Sequence, residues 1–191
     1  LTSKNNTLSE IYKEKINFNQ NNYSISTDKW LFNYQYAGII LSLIPNSRVI
    51  NCYRHPLDNI LSIYRANFDH RGNHFSSSVE ETTRLYLEQE DTILKYKSKF
   101  NSKIYLLNYD KLVSNSSYEI RKLVSWLNWE WDDVYQLPHL SRRNISTASS
   151  VQARDPINSN SLGGWKKYKD LLQPSIDILS ERVKYKYIGL S

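Results

Sequence analysis

Three short β-rich runs, each followed by a helical pattern, predict an α/β fold in which a parallel β-sheet is flanked by crossover helices. The runs are Tyr23–Thr27, Ser47–Tyr53 and Lys103–Leu107. The 191 residues, 40% of them hydrophobic, suffice for one sizeable core, so residues 1–191 are expected to form a single domain.

Each element follows from its own pattern. Tyr23–Thr27 is the first expected strand, and Asn33–Ile44, apolar nearly all round, reads as a buried helix. Ser47–Tyr53 is the second strand. After it, Leu57, Ile60, Leu61, Tyr64 and Phe68 recur at helical spacing, with Pro56 where a first helical turn accepts proline. Ser77–Phe100 reads as a long amphipathic helix whose apolar side carries Val79, Thr83, Tyr86, Leu87, Ile93, Leu94 and Tyr96. Lys103–Leu107 is the third strand, and Ser116–Leu127 a further helix with Ser114 or Asn115 available as its cap. From Gln136 to Leu162 periodicity gives way to Pro, Ser, Asn and Arg, a polar loop long enough to suggest function. A last helical stretch begins near Gly163 and restarts after Pro174.

Composition excludes several classes. The longest apolar run, Ala37–Pro45, is far shorter than the roughly 18 residues of a membrane span, so no membrane segment is expected here. Cys52 is the only cysteine, which excludes an internal disulfide and a cysteine-cluster zinc site; no metal is expected. The four Asn-x-Ser/Thr sequons are read as chance in a chain rich in Asn and Ser. The chain has neither a secretory signal nor any methionine, and its first residues read as a cut rather than a natural start. The net charge of +6, from 25 basic and 19 acidic residues, attracts anions. The basic residues are scattered, with no helix-turn-helix or zinc-finger spacing, which speaks against nucleic acid, but charge alone does not decide between nucleic acid and a phosphorylated nucleotide.

The segment Arg54-His55-Pro56-Leu57-Asp58-Asn59-Ile60-Leu61-Ser62 carries the most chemistry. A strand that ends in Arg54 and hands over to a helix sets a guanidinium beside the free N–H groups at the positive end of the helix dipole, where phosphate binds. Ser62 lies two turns on. The alternative is that Arg54 pairs with Asp58 and Ser62 is merely solvated. A lysine at the end of the first run (Lys29), a tyrosine after the third (Tyr109) and a loop of Ser, Asn and Gly admit surface or packing roles on their own.

These segments together resemble sulfotransferases that use 3′-phosphoadenosine 5′-phosphosulfate, of the tyrosylprotein type and of the bacterial domains linked to tetratricopeptide repeats. In that family an Arg closing a strand and a Ser eight residues later bind the cofactor's 3′-phosphate, and Arg54 and Ser62 have this spacing, behind an Ile44-Pro45-Asn46-Ser47 lead. Asp28-Lys29-Trp30-Leu31-Phe32-Asn33 is similar to a turn whose Lys approaches the transferring group, which implies an electrostatic catalytic role for Lys29. Leu107-Asn108-Tyr109-Asp110-Lys111-Leu112 is similar to the family's nucleotide-contacting segment and implies the same for Tyr109. Ser149-Ser150-Val151-Gln152-Ala153-Arg154-Asp155-Pro156-Ile157, with Gly163-Gly164-Trp165, resembles the C-terminal cofactor loop. It implies that Ser149 donates to the leaving oxygen and that Ser150, Gly163, Gly164 and Trp165 contact the cofactor.

The resemblance spans about Ser24–Lys169 and implies a P-loop nucleotide-kinase-like fold lacking its first βα unit. None of the five glycines (Gly38, Gly72, Gly163, Gly164, Gly189) sits where that unit's phosphosulfate loop belongs. The implied activity is sulfuryl transfer to an acceptor hydroxyl, phenol or amine on a protein tyrosine, carbohydrate or small molecule, releasing adenosine 3′,5′-bisphosphate without a metal. A non-catalytic nucleotide-binding or interaction module of the same fold is the alternative. A nucleotide kinase is disfavoured because no Gly-Lys-Ser/Thr occurs. The free Cys52 and missing signal point to a bacterial cytoplasm, with the Golgi lumen as the alternative.

Overall fold

The computed structural model describes residues 7–15, 25–66, 68, 74–140 and 154–190. Its elements run α1 (Leu8–Lys15), α2 (Asn33–Leu43), β1 (Val49–Tyr53), α3 (Pro56–Ala66), α4 (Val79–Lys99), β2 (Ile104–Asn108), α5 (Tyr109–Ser114), α6 (Ser116–Leu127) and α7 (Gln173–Ser180), with short 3₁₀ turns between. β1 and β2 pair in parallel, and the intervening chain returns through α3 and α4. The fold class is therefore α/β, mostly helical, with a small parallel sheet. Two compact units divide the chain, one of Leu1–Ile50 with Gln89–Tyr105, the other of Asn51–Glu88 with Leu106–Ser191.

In the first unit, α2 packs against the C-terminal half of α4 at Gly38. A Cβ there would lie 2.9 Å from Cζ of Tyr96, so only glycine lets the ring lie on the helix backbone. Lys103 Nζ donates to Leu41 O at 2.9 Å, covering a carbonyl that α2 leaves open at its end. Asn46 closes the turn into β1 with a φ of 60°, a conformation Asn tolerates better than most residues. α2 is not buried all round as its composition suggested: Tyr34, Ala37 and Leu41 are buried, while Tyr36, Ile39 and Leu43 are exposed. Hydrophobicity marks residues that can be buried, and these three exceed the surface their partners cover. Ile25–Thr27, the described part of the first expected strand, form no strand, since β propensity without a neighbouring ladder does not make one. Tyr23 and Ser24 lie outside the described residues.

The second unit holds a hydrophobic core built from Leu57, Ile60 and Leu61 of α3, Val79 and Leu87 of α4, and a C-terminal set of Trp165, Leu172, Ile176, Leu179, Tyr185 and Ile188. Polar groups inside it are satisfied: Thr83 Oγ1 and Ser175 Oγ both donate to Val79 O. Pro174 sits in the first turn of α7, where its missing N–H leaves no gap in the helix ladder. α6 spans the expected Ser116–Leu127; Asn115 stands at its N-cap without a side-chain capping bond. In α4, Leu94 is exposed rather than part of the buried side.

Leu172 is fully buried in this core. Leu172→Ala is expected to destabilise the protein by about 2–5 kcal/mol, because the site loses apolar contacts and keeps a cavity. A fall in the urea midpoint with an unchanged slope is the measurement that checks this.

Candidate functional site

The site lies in the second unit, where β1 hands over to α3. Tyr53 ends the strand, Arg54 and His55 make the connection, and Pro56 opens the helix. His55 N–H, one of the donors a helix start leaves without a partner, is taken by Asp110 Oδ2 at 2.8 Å. Asp110 is placed there because Asn108 caps α5: its side chain accepts from Lys111 N–H at 3.0 Å and fixes the turn directly after β2. Two strand ends are thereby joined through one carboxylate.

Arg54 is held on several sides. Its Nη2 donates to Ser161 O at 2.8 Å and lies 3.7 Å from Asp58 Oδ2, one helical turn on. Its Cζ stands 5.3 Å from the centre of the Tyr109 ring, a cation–π contact that orients the guanidinium plane. Tyr109 Oη and Ser161 Oγ are 3.3 Å apart, so both residues that steady Arg54 also touch each other. Arg54 Nε is buried and has no hydrogen-bond partner among the described residues. Another part of the Arg54 residue borders a hollow of about 110 Å³, lined by Cys52, Tyr53, Arg54, Asn59 and Tyr109. No carboxylate lines it, so the guanidinium sets its sign and an anion is the ligand it suits. Cys52 is an exposed residue, and packing around its thiol pushes the pKa up, although Arg54 pulls it down.

Asp58 is 4% exposed and faces the C-terminal loop. Its Oδ2 accepts from Gly163 N–H at 2.8 Å and its Oδ1 from Trp165 N–H at 2.9 Å. Gly163 has a φ of 66°, the left-handed conformation that turns these amides towards one carboxylate. The Trp165 ring is buried in the core and stacks on His55, centroids 5.3 Å apart and planes 3° from parallel. A second hollow, about 260 Å³, is lined by His55, Asp58, Asp110, Leu162, Gly163, Trp165 and Lys166. Both charge signs meet in it.

Arg54 and Tyr109 are thus brought together, and Gly163, Gly164 and Trp165 lie close by, with the amides of the first and last directed at Asp58. Ser62 is exposed further along α3 and does not line the hollow; Asn59 does. Lys29, in the first unit, is exposed, and the Asp-Lys-x-x-x-Asn segment around it is closed by Asn33 Nδ2 donating to Asp28 Oδ2 at 3.0 Å. Ser149 and Ser150 lie outside the described residues. Asp58, Asn59, Asp110 and Ser161 were not singled out as site residues by sequence. The i,i+4 spacing of Arg54 and Asp58 signalled their pairing, whereas Ser161 reaches Arg54 through its carbonyl, which any residue supplies.

Among the described residues no helix is long and apolar enough to cross a membrane, and no group of three His, Cys, Asp or Glu is placed to hold a metal. The fold and site define an α/β protein with a guanidinium presented at a strand-to-helix junction. The chain belongs to the sulfotransferase family, whose model, described as "Sulfotransferase family", matches residues 2–133. It is also similar to an uncharacterized protein of Aquifex aeolicus (strain VF5), 30% identical over 159 residues, which are 82% of this chain and 21% of that protein. The chain therefore spans about a fifth of that relative's length.

Loss of water around the His55 ring holds its pKa below the ordinary value of 6.5; Asp58 and Asp110 oppose this, and Arg54 and Lys166 add to it. The unfolded chain then takes up the His55 proton at higher pH than the folded one does. The stability this contributes is present above the unfolded pKa and is lost as pH falls through the folded value. Denaturation in urea is expected to show a midpoint that drops between about pH 7.5 and about pH 5, and a shallower drop in His55→Gln.

Proposed function

We propose that this chain carries the 3′-phosphoadenosine half of a sulfotransferase active site, and that the whole protein moves a sulfuryl group from 3′-phosphoadenosine 5′-phosphosulfate to an acceptor hydroxyl, phenol or amine. The observation that carries this reading is Arg54. It lies within the segment matched by the family model, its Nε–H is buried with no acceptor among the described residues, and another part of it borders a hollow lined by no acid. A buried donor left without a partner costs about 1–3 kcal/mol, and a phosphate oxygen brought to Nε removes that cost while meeting a cation.

The chain's own residues then divide the work. Arg54 binds the 3′-phosphate, with Tyr109 holding the guanidinium plane; Ser62, which does not line the hollow beside Arg54, is assigned to the same group on the resemblance alone. Loop residues 161–165 are fastened to Arg54 and Asp58, and Gly163, Gly164 and Trp165 are assigned to the cofactor from the resemblance. Lys29 and Ser149 are assigned to the oxygen on which charge grows as the sulfur–oxygen bond breaks, where a fixed cation and a donor lower the barrier. Ser150 is assigned to the phosphosulfate. Orientation of the nucleotide by these contacts supplies the in-line geometry that attack on sulfur needs.

Isothermal titration calorimetry with adenosine 3′,5′-bisphosphate and adenosine 5′-monophosphate tests this. The bisphosphate is expected to bind at least tenfold more tightly, about 1.4 kcal/mol, and Arg54→Ala to abolish the difference. Equal affinities for the two nucleotides, or a preference that survives Arg54→Ala, would contradict the assignment.

A further inference from the structure

Asp58 has no part in the contacts just assigned to the nucleotide, yet it is the most enclosed charged side chain around Arg54, at 4% exposed. A buried carboxylate needs compensating donors. Asp58 finds two in the backbone N–H groups of Gly163 and Trp165, at 2.8 and 2.9 Å, and a cation in Arg54 at 3.7 Å. The left-handed Gly163 and the 3₁₀ turn Gly164–Tyr168 that it opens make a concave nest of amides, the backbone shape that binds anions. In this protein the anion in the nest is the protein's own Asp58. The same loop reaches Arg54 from its other end, where Ser161 O accepts from Nη2 at 2.8 Å and Ser161 Oγ meets Tyr109 Oη.

We propose that Asp58 is a positioning residue: by filling the Gly163–Trp165 nest it fastens the C-terminal loop to α3 and so sets Ser161 and the Arg54 guanidinium in the arrangement that receives the nucleotide's 3′-phosphate. The proposal rests on the nucleotide reading above. Asp58 itself touches no nucleotide; it acts through the loop. Two features fit this division. Asp58 stands one helical turn after Arg54 on the same rigid element, so loop and guanidinium share one reference frame. The second tie, from Arg54 to Ser161, crosses the same few residues, so freeing the nest loosens the guanidinium too.

The test uses Asp58→Asn, which keeps the side chain's size among the core residues Leu57 and Ile60 but turns an N–H donor towards one of the two amides. Amide exchange followed by NMR is expected to speed up at least tenfold at Gly163 and Trp165, while the amides of α7 keep their protection. In calorimetry, affinity for adenosine 3′,5′-bisphosphate is expected to fall at least fivefold, with affinity for adenosine 5′-monophosphate unchanged. Gly163→Ala attacks the same nest from the loop side, because φ near +66° strains any residue with a Cβ, and it serves alone if Asp58→Asn does not fold. Two changes that act through one nest are not additive, so the double variant should bind the bisphosphate no more weakly than the worse single. Unchanged exchange at Gly163 and Trp165 in Asp58→Asn overturns the proposal, as do additive losses in the double variant. If the unaltered protein does not prefer the bisphosphate, the nucleotide reading fails; faster exchange alone then shows Asp58 to be a purely structural clamp, which also overturns the positioning role.

Discussion

A carboxylate shut away from water must be surrounded by donors, and in this protein that requirement organises the site. Asp58 on the first turn of α3 gathers the amides of Gly163 and Trp165 and lies beside Arg54, so an element early in the chain dictates the path of a loop more than 100 residues later. Asp110 does the complementary work at the start of α3 by taking the His55 N–H, which ties the end of β1 to the residue after β2. The buried Trp165 ring, stacked on His55, turns these polar ties into part of the core. The polar contacts supply direction and the apolar contacts most of the stability.

The same arrangement sorts charge. Asp58 and Asp110 face one hollow together with His55 and Lys166, whereas the hollow beside Arg54, Tyr109 and Asn59 has no acid in its lining. The cation is partly compensated by Asp58, and its buried Nε has no hydrogen-bond partner among the described residues. A net charge of +6 draws anions to the molecule as a whole, and this local asymmetry is what the proposed phosphate site rests on.

Much of this was legible in the sequence, for physical reasons that differ from element to element. α3 and α6 were readable because amphipathic spacing and a proline at a permitted position act locally. The strand-to-helix junction at Arg54 was readable because a β run ends directly before a helix start, and the family match over residues 2–133 agrees with the resemblance drawn from those motifs. α2 was misread as wholly buried because apolar composition does not report how much surface a neighbour covers; Tyr36, Ile39 and Leu43 are exposed. Tyr23–Thr27 had β propensity, but a strand also needs a partner, and Ile25–Thr27 have none as a ladder. The loop ties to Asp58 and Ser161 were not legible, since they use backbone amides and a carbonyl, which every sequence contains.

The Arg54 guanidinium is proposed to receive a phosphate through the Nε–H that no described residue accepts. The most direct test of this is the Arg54 Nε–Hε correlation in the NMR spectrum of the protein, recorded as adenosine 3′,5′-bisphosphate is added and assigned by its loss in Arg54→Lys. A downfield shift of that one proton, saturating with nucleotide and absent with adenosine 5′-monophosphate, is the predicted result, because a charge-assisted bond to phosphate deshields the donor hydrogen. An Arg54 signal that stays in place while the nucleotide binds elsewhere on the protein would contradict the claim.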